Sequence, residues 1–343
     1  MAFLRAKRTM AAHAPLVIRK SGVLSVLASA ALLAGCNTVL MKPSGDVAAQ
    51  QGHLIVVSTV LMLLIIVPVI VLTFFFAWRY RHSNANAAAH YQPDWDHSLQ
   101  LELVIWAAPL LIIIALGALA WISTHTLDPY RPIGRLDARR PFAANVKPLV
   151  VDVVALDWKW LFIYPEQGIA TVNELAAPVD VPIEFRITAE SVMNSFFIPA
   201  LAGQIYAMPG METQLHAVIN RAGSFRGFSA NYSGAGFSGM HFLFHGMSAA
   251  DFDAWVAGAR ATGGALDRAA YRTLAAPSAD EPVHRYATVE SGLYDAIVER
   301  CLAPGQMCMR ETMSRNGGEP MAMLPASAPS TAATPAPAAV RRE

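Results

Sequence analysis

Cysteine is scarce in this chain: Cys36, Cys301 and Cys308 are the three in 343 residues. Three thiols cannot build a disulfide scaffold, and no Cys-x-x-Cys pair is present to hold zinc or run thiol redox chemistry. An excess of either charge is missing too. The 26 Lys and Arg against 25 Asp and Glu leave a formal net charge of +1, so the basic surplus expected of a nucleic-acid binder is absent. Charged residues make up 15% of the chain and hydrophobic ones 54%, above ordinary soluble composition, which places part of the chain in lipid. The length suits about two domains.

What is present begins with a targeting pattern. Arg5, Lys7, Arg8, Arg19 and Lys20 precede an uncharged stretch, 21–35, ending Leu33-Ala34-Gly35-Cys36. A short apolar core closed by small residues before a cysteine reads as a lipoprotein signal peptide over 1–35, with Cys36 as the lipid-modified mature N-terminus. Residues 54–77 then run 24 positions without a charge, about 36 Å as a helix against a hydrocarbon core of about 30 Å. Trp78, Arg79, Tyr80 and Arg81 close that span with interfacial residues. A second uncharged span, 103–122, completes a hairpin within an N-terminal region of 36–123. Arg131, Arg135, Arg139 and Arg140 follow the second span, so the count of cations points the hairpin the wrong way. Lipidation at Cys36 takes place outside the cytoplasm, and large domains translocate largely regardless of charge; both termini and the main domain are therefore expected in the periplasm, on the bacterial inner membrane. Asn37, rather than Asp, follows Cys36, and the hairpin itself supplies membrane retention.

Beyond residue 147 the apolar pattern shortens to period two, as in Ile183, Phe185 and Ile187 alternating with Glu184, Arg186 and Thr188. Strands are predicted at 148–156, 158–164, 192–198, 213–219, 224–228 and 240–245, the spacing of an antiparallel β sandwich over 124–247. Ser248, three before Asp251, caps a helix with Phe252, Trp255 and Val256 on one stripe, and 291–301 reads as another. These make 248–315 an accessory helical region. The Ala-, Pro-, Ser- and Thr-rich segment 316–343 is expected to be a disordered tail.

A lipoprotein signal, a two-helix hairpin and a periplasmic sandwich resemble subunit II of the haem–copper oxidases over residues 36–261, with a cupredoxin-like Greek-key fold implied for the sandwich. Three strings resemble those of the cytochrome bo-type ubiquinol oxidases in particular: Asp157-Trp158-Lys159-Trp160 through Gly168, Val192-Met193-Asn194-Ser195-Phe196-Phe197-Ile198-Pro199, and Ser229-Ala230-Asn231-Tyr232-Ser233 through Met240. In the cytochrome c oxidases of the wider family this domain holds a dinuclear copper, ligated by an earlier His and a loop Cys-x3-Cys-x3-His-x2-Met. The resemblance sets Asn194 at the earlier His, Ser229 and Ser233 at the cysteines, Phe237 at the loop His and Asn231 at the Glu that lends its carbonyl; Met240 alone is retained. Hydroxyls cannot replace bridging thiolates and a phenyl ring has no lone pair to donate, so the expectation is a copper site erased and no metal or cofactor in this chain. Phe228, Tyr232 and Phe237 are expected to fill the vacated volume.

The resemblance then implies a non-catalytic subunit of a proton-pumping oxidase that passes electrons from ubiquinol to dioxygen. Haems and copper would belong to subunit I, with subunits III and IV as further partners and membrane lipid around the hairpin. Glu102, at the cytoplasmic start of the second span, is a candidate proton-entry carboxylate; the bland alternative is an interfacial Glu reaching headgroup water. His241, His245 and Met247 share a strand face but lack a fourth ligand at a sensible spacing, and together with His125 and His216 are read as ordinary polar residues. Met307, Met309 and Met313 are read as filler, and Gly234-Ala235-Gly236 as a flexible loop. Cys301 and Cys308, the even remainder in an oxidising compartment, are expected to pair. Two other readings stay on the table: a copper-bearing carrier for cytochrome c, and a free periplasmic lipoprotein.

Overall fold

The computed structural model describes residues 39–84, 95–142, 146–303 and 305–315. The segments read above as a signal peptide (1–35) and as a tail (316–343), and Cys36, lie outside them. Helix α1 spans Asp46–Arg79 and α2 spans Leu99–Thr126, and both are apolar enough to cross a membrane, with no residue of their lipid-length windows buried. Both exceed the sequence-based bounds. For α1 the reason is visible: its first two turns stand on the sandwich rather than in lipid. Ser44 and Gly45 donate their N–H groups to Ala200 O, and Ala48 donates to Leu201 O, satisfying a donor that a helix start otherwise leaves orphaned. Asp46, buried at the positive end of the helix dipole, accepts from Arg135 at 2.9 Å.

The periplasmic part pairs a seven-stranded sheet, in the order β11-β12-β3-β2-β1-β5-β8, with a five-stranded sheet, β4-β10-β9-β6-β7. In chain order the strands are β1 (Leu149–Leu156), β2 (Lys159–Tyr164), β3 (Ile169–Val172), β4 (Glu174–Pro178), β5 (Pro182–Ala189), β6 (Asn194–Phe197), β7 (Ile205–Ala207), β8 (Thr213–Val218), β9 (Gly223–Ser229), β10 (His241–Met247), β11 (Gly264–Leu266) and β12 (His284–Val289). Helices α3 (Ala249–Thr262), α4 (Arg268–Ala275), α5 (Leu293–Val298) and α6 (Met309–Arg315) follow or interleave. Ser248 caps α3 as its spacing predicts, its side chain accepting from the Asp251 N–H.

The C-terminal region departs from the purely helical reading. It contributes β11 and β12 to the larger sheet, with β12 pairing antiparallel to β3, and Arg285 of β12 clasps Glu174 of β4 through two bonds of 2.8 and 2.9 Å. The sequence His-Arg-Tyr-Ala-Thr-Val of β12 has few apolar positions, which is why its pattern gave no strand. Helix α5 is also shorter than 291–301.

The core is double as a consequence. Val151, Val153 and Ala155 of β1 face the smaller sheet, where Trp160, Phe162, Phe196 and Phe242 interlock. Val154 and Leu156 face the other way, onto Leu266, Tyr271, Leu293 and Ile297 of the C-terminal region. A sheet covered on both faces explains why β1 and β2 are buried almost end to end instead of alternating with solvent. Asp152 interrupts the apolar run on the second face. It pairs with Arg186, directly opposite in the parallel β1–β5 register, at 2.6 Å, and the guanidinium lies 5.3 Å from the Tyr294 ring of α5.

Candidate functional site

Five of the six positions that the resemblance aligns with copper ligands come together, while the Phe237 ring packs on Tyr232. Asn194 opens β6, Ser229 ends β9, and the hydrogen-bonded pairing of β6 with β9 sets them side by side; Asn231, Ser233, Phe237 and Met240 lie on the connection from β9 to β10. The polar members bond to one another. Ser229 Oγ lies 3.0 Å from Asn194 Oδ1 and 3.2 Å from Asn231 O, donating to one of them at a time. It also accepts from Ser195 N–H at 3.4 Å. Asn194 Nδ2 donates to Val192 O, and Asn231 Nδ2 to Met193 O. Ser233 Oγ is 4.0 Å from Met240 Sδ, and Met240 is buried. Such a donor set does not fit a mixed-valence copper pair: its one soft donor is a thioether, with no thiolate to bridge and no imidazole to complete a metal.

The loop packs against a residue that sequence reasoning overlooked. Tyr232 is 75% exposed and Phe228 and Phe237 are only half-buried, so the expectation that these three fill the volume fails. Trp158, itself half-buried, packs on the loop from another hairpin. It sits outside β2, in the β1–β2 turn, at φ 93, a backbone conformation that L residues with large side chains seldom adopt. Its indole Nε1–H donates to Ser233 O at 3.0 Å, and its ring packs against Gly234 and Gly236. A Cβ on Gly236 would come within 2.5 Å of that ring. Gly234-Ala235-Gly236 is therefore a packed surface for an indole rather than a flexible loop, and the spacing of two glycines was the available signal.

Lys159, the next residue, is 1% exposed. Its ammonium donates to Ala276 O at 2.8 Å, Ser278 Oγ at 2.6 Å and Asp157 O at 3.3 Å, and burial lowers its pKa against the pull of Glu281 and Asp157. Two of these partners, Ala276 and Ser278, lie more than a hundred residues downstream, so nothing local in the sequence marks them. The same C-terminal segment brings Asp280 against Gly239 of the loop.

The other candidates stand apart. Glu102 occupies the first turn of α2 and pairs with His97 Nδ1 at 2.7 Å. His241, His245 and Met247 share one face of β10, as their spacing predicts; His245 Nδ1 is hydrogen-bonded to Ser224 Oγ at 2.9 Å and its Nε2 lies 3.8 Å from Glu174. His216 is part-buried and its pKa is lowered chiefly by burial. His125 packs against the Trp121 ring, tilted at 42°. Cys301 and Cys308 are joined by a disulfide with Cα atoms 4.7 Å apart. Just beyond it, Met309 packs on Gly210.

Comparison with known proteins agrees with this architecture. The family model described as the periplasmic domain of cytochrome c oxidase subunit II matches residues 149–246, and one described as the COX aromatic rich motif matches 260–305. The chain is 51% identical over 269 residues to the cytochrome bo(3) ubiquinol oxidase subunit 2 of Pseudomonas putida, covering 78% of this chain and 82% of that one. It is 51% identical over 274 residues to the ubiquinol oxidase subunit 2 of Acetobacter aceti, covering 80% and 86%. The quinol oxidase subunit 2 of Bacillus subtilis is 35% identical over 236 residues, covering 68% and 70%. Two membrane helices, a periplasmic sandwich and these relatives lead to one assignment: the chain belongs to the ubiquinol oxidase subunit 2 family.

Proposed function

We propose that this chain is a copper-free, non-catalytic subunit that anchors and assembles a proton-pumping oxidase, in which ubiquinol gives its electrons directly to the haems of subunit I. The observation that carries the reading is the hydrogen bonding of Ser229 Oγ, which faces the Asn194 side-chain oxygen and the Asn231 backbone carbonyl in a cluster that offers no bridging sulfur. Without that relay the periplasmic domain has no route for an electron from cytochrome c. Haems and copper then reside in subunit I, subunits III and IV complete the complex, and a lipid on Cys36 adds to the hold of the hairpin. The test is oxygen consumption by the purified complex. Ubiquinol is expected to support turnover and reduced cytochrome c is not; a cytochrome c rate comparable to the ubiquinol rate, with the near-infrared absorption of a copper pair, would overturn the proposal.

Glu102 has a second role in this reading, as a carboxylate at the cytoplasmic mouth of a proton-uptake path. Its support is position, in the first turn of α2, and the adjacent His97, whose Nδ1 lies 2.7 Å from the Glu102 carboxylate. Replacing Glu102 by Ala is expected to slow quinol-driven turnover by about 100-fold, the low end of the range for loss of a proton-transfer group, while Glu102→Asp retains most of it. Unchanged turnover in Glu102→Ala would remove the role and leave an interfacial Glu.

A further inference from the structure

Residues Val39–Met41 form a 3-10 turn just ahead of α1, and the turn is apolar yet open: Val39 is 52% exposed, Leu40 43% and Met41 54%. Such a cluster on a soluble surface would be a liability. Its position is fixed from both sides. Lys42 N–H closes the turn onto Val39 O, while two residues later the Ser44 N–H binds Ala200 O and Asn220 N–H binds Ser44 O, pinning the chain to the sandwich. On the other side the Leu40 carbonyl rests on Gly52 of α1, where a Cβ would stand 3.0 Å from that oxygen. Gly52 precedes the uncharged run of α1 by two residues, about 3 Å along the axis. The turn is thus held at the height where α1 leaves water for hydrocarbon.

We infer that Val39, Leu40 and Met41 dip into the periplasmic leaflet at its headgroup–acyl boundary, with Lys42 at the level of the lipid phosphates. The occupant is phospholipid. Three arguments favour it: the turn is continuous with a helix whose neighbouring Ile55 and Val56 are also exposed, its apolar side chains are followed at once by a cation, and interfacial segments combine those two features. The placement makes the turn a third membrane contact beside the two helices, one that sets the standing height of the sandwich. It does not depend on the copper-free reading or on acylation of Cys36.

The test uses the whole oxidase complex carrying Leu40→Cys, labelled with a nitroxide and reconstituted into phosphatidylethanolamine–phosphatidylglycerol vesicles, with a second label at Asp253→Cys on the exposed side of α3 as a reference. The unsubstituted complex, labelled in parallel, gives the background from other thiols. At position 40 the label is expected to collide with dissolved oxygen far more than with an aqueous nickel chelate, and at position 253 the reverse. Dominant collision with the chelate at 40 would put the turn in water, and poor collision with both would put it under another subunit; either result overturns the inference. If Leu40→Cys fails to assemble, Val39→Cys and Met41→Cys read the same height.

Discussion

Replacing Trp160 by alanine is expected to destabilise the periplasmic domain by about 3–5 kcal/mol, the range for emptying a buried aromatic site. The indole is fully buried and meets two rings edge-on, Phe196 at 5.4 Å and Phe242 at 5.9 Å, which are themselves stacked at 5.5 Å and 4°. Neighbours cannot close the hole. Phe242 is wedged against Gly227, where any Cβ would lie 2.1 Å from its ring, and Phe162 already packs against Phe242 at 4.9 Å. The midpoint of heat-induced unfolding, followed by near-ultraviolet circular dichroism, should fall by roughly 10 °C for a domain of this size. Trp160→Phe, which keeps most of the ring volume, should lose much less. Equal losses for the two variants would mean that the cluster tolerates collapse and that its packing is not specific.

Removing Arg186 is expected to cost a comparable amount, and the cost should depend on pH. The Arg186–Asp152 pair lies between the larger sheet and α5, with the Asp152 carboxylate 3% exposed. Burial lifts the Asp152 carboxyl to about 7, against the lowering effect of Arg186 and with Glu212 and Asp295 adding to the rise. A folded-state value above the ordinary 3.8 means that the folded state binds its proton more firmly than the unfolded chain does. The stability tied to this group is therefore complete below its ordinary value and is lost as pH rises through about 7. Arg186→Leu strips the remaining compensation. At pH 8 it is expected to cost about 3–5 kcal/mol, the usual penalty for an orphaned buried charge, and at pH 5, where the carboxyl can be neutral, distinctly less. Adding Asp152→Asn to Arg186→Leu should recover stability at pH 8 and flatten the difference. Denaturant midpoints at the two pH values decide it: a loss equal at both would show that Asp152 keeps its charge irrespective of Arg186.

Much of this was readable from the sequence, and the failures have a common cause. The two spans, the strands around Ile183–Phe185–Ile187, and the Ser248 cap each follow from a local pattern: an uncharged run of sufficient length, alternation, or a side-chain acceptor three residues before its donor. Likewise the coming together of Asn194, Ser229 and Asn231 follows from matching strings. What escaped was non-local. The start of α1 at Asp46 depends on Ala200, Leu201 and Arg135; the place of Lys159 depends on Ala276 and Ser278; the strand β12 exists because β3 offers it an edge. The packing of the loop between β9 and β10 escaped for a related reason. Aromatic residues inside the loop suggested themselves, whereas the ring that lies there, Trp158, arrives from the turn of a different hairpin.

The C-terminal residues matched by the aromatic rich motif are a third layer, seated on Val154, Leu156, Leu161 and Ile163. A chain that stopped after α3 would emerge from the translocation machinery with an apolar sheet face bare to the periplasm. It would have to be shielded by folding helpers or be degraded before meeting its partners. The order of synthesis thus matters to this subunit: the sandwich reaches its final, non-sticky form only once residues 264–302 have crossed the membrane.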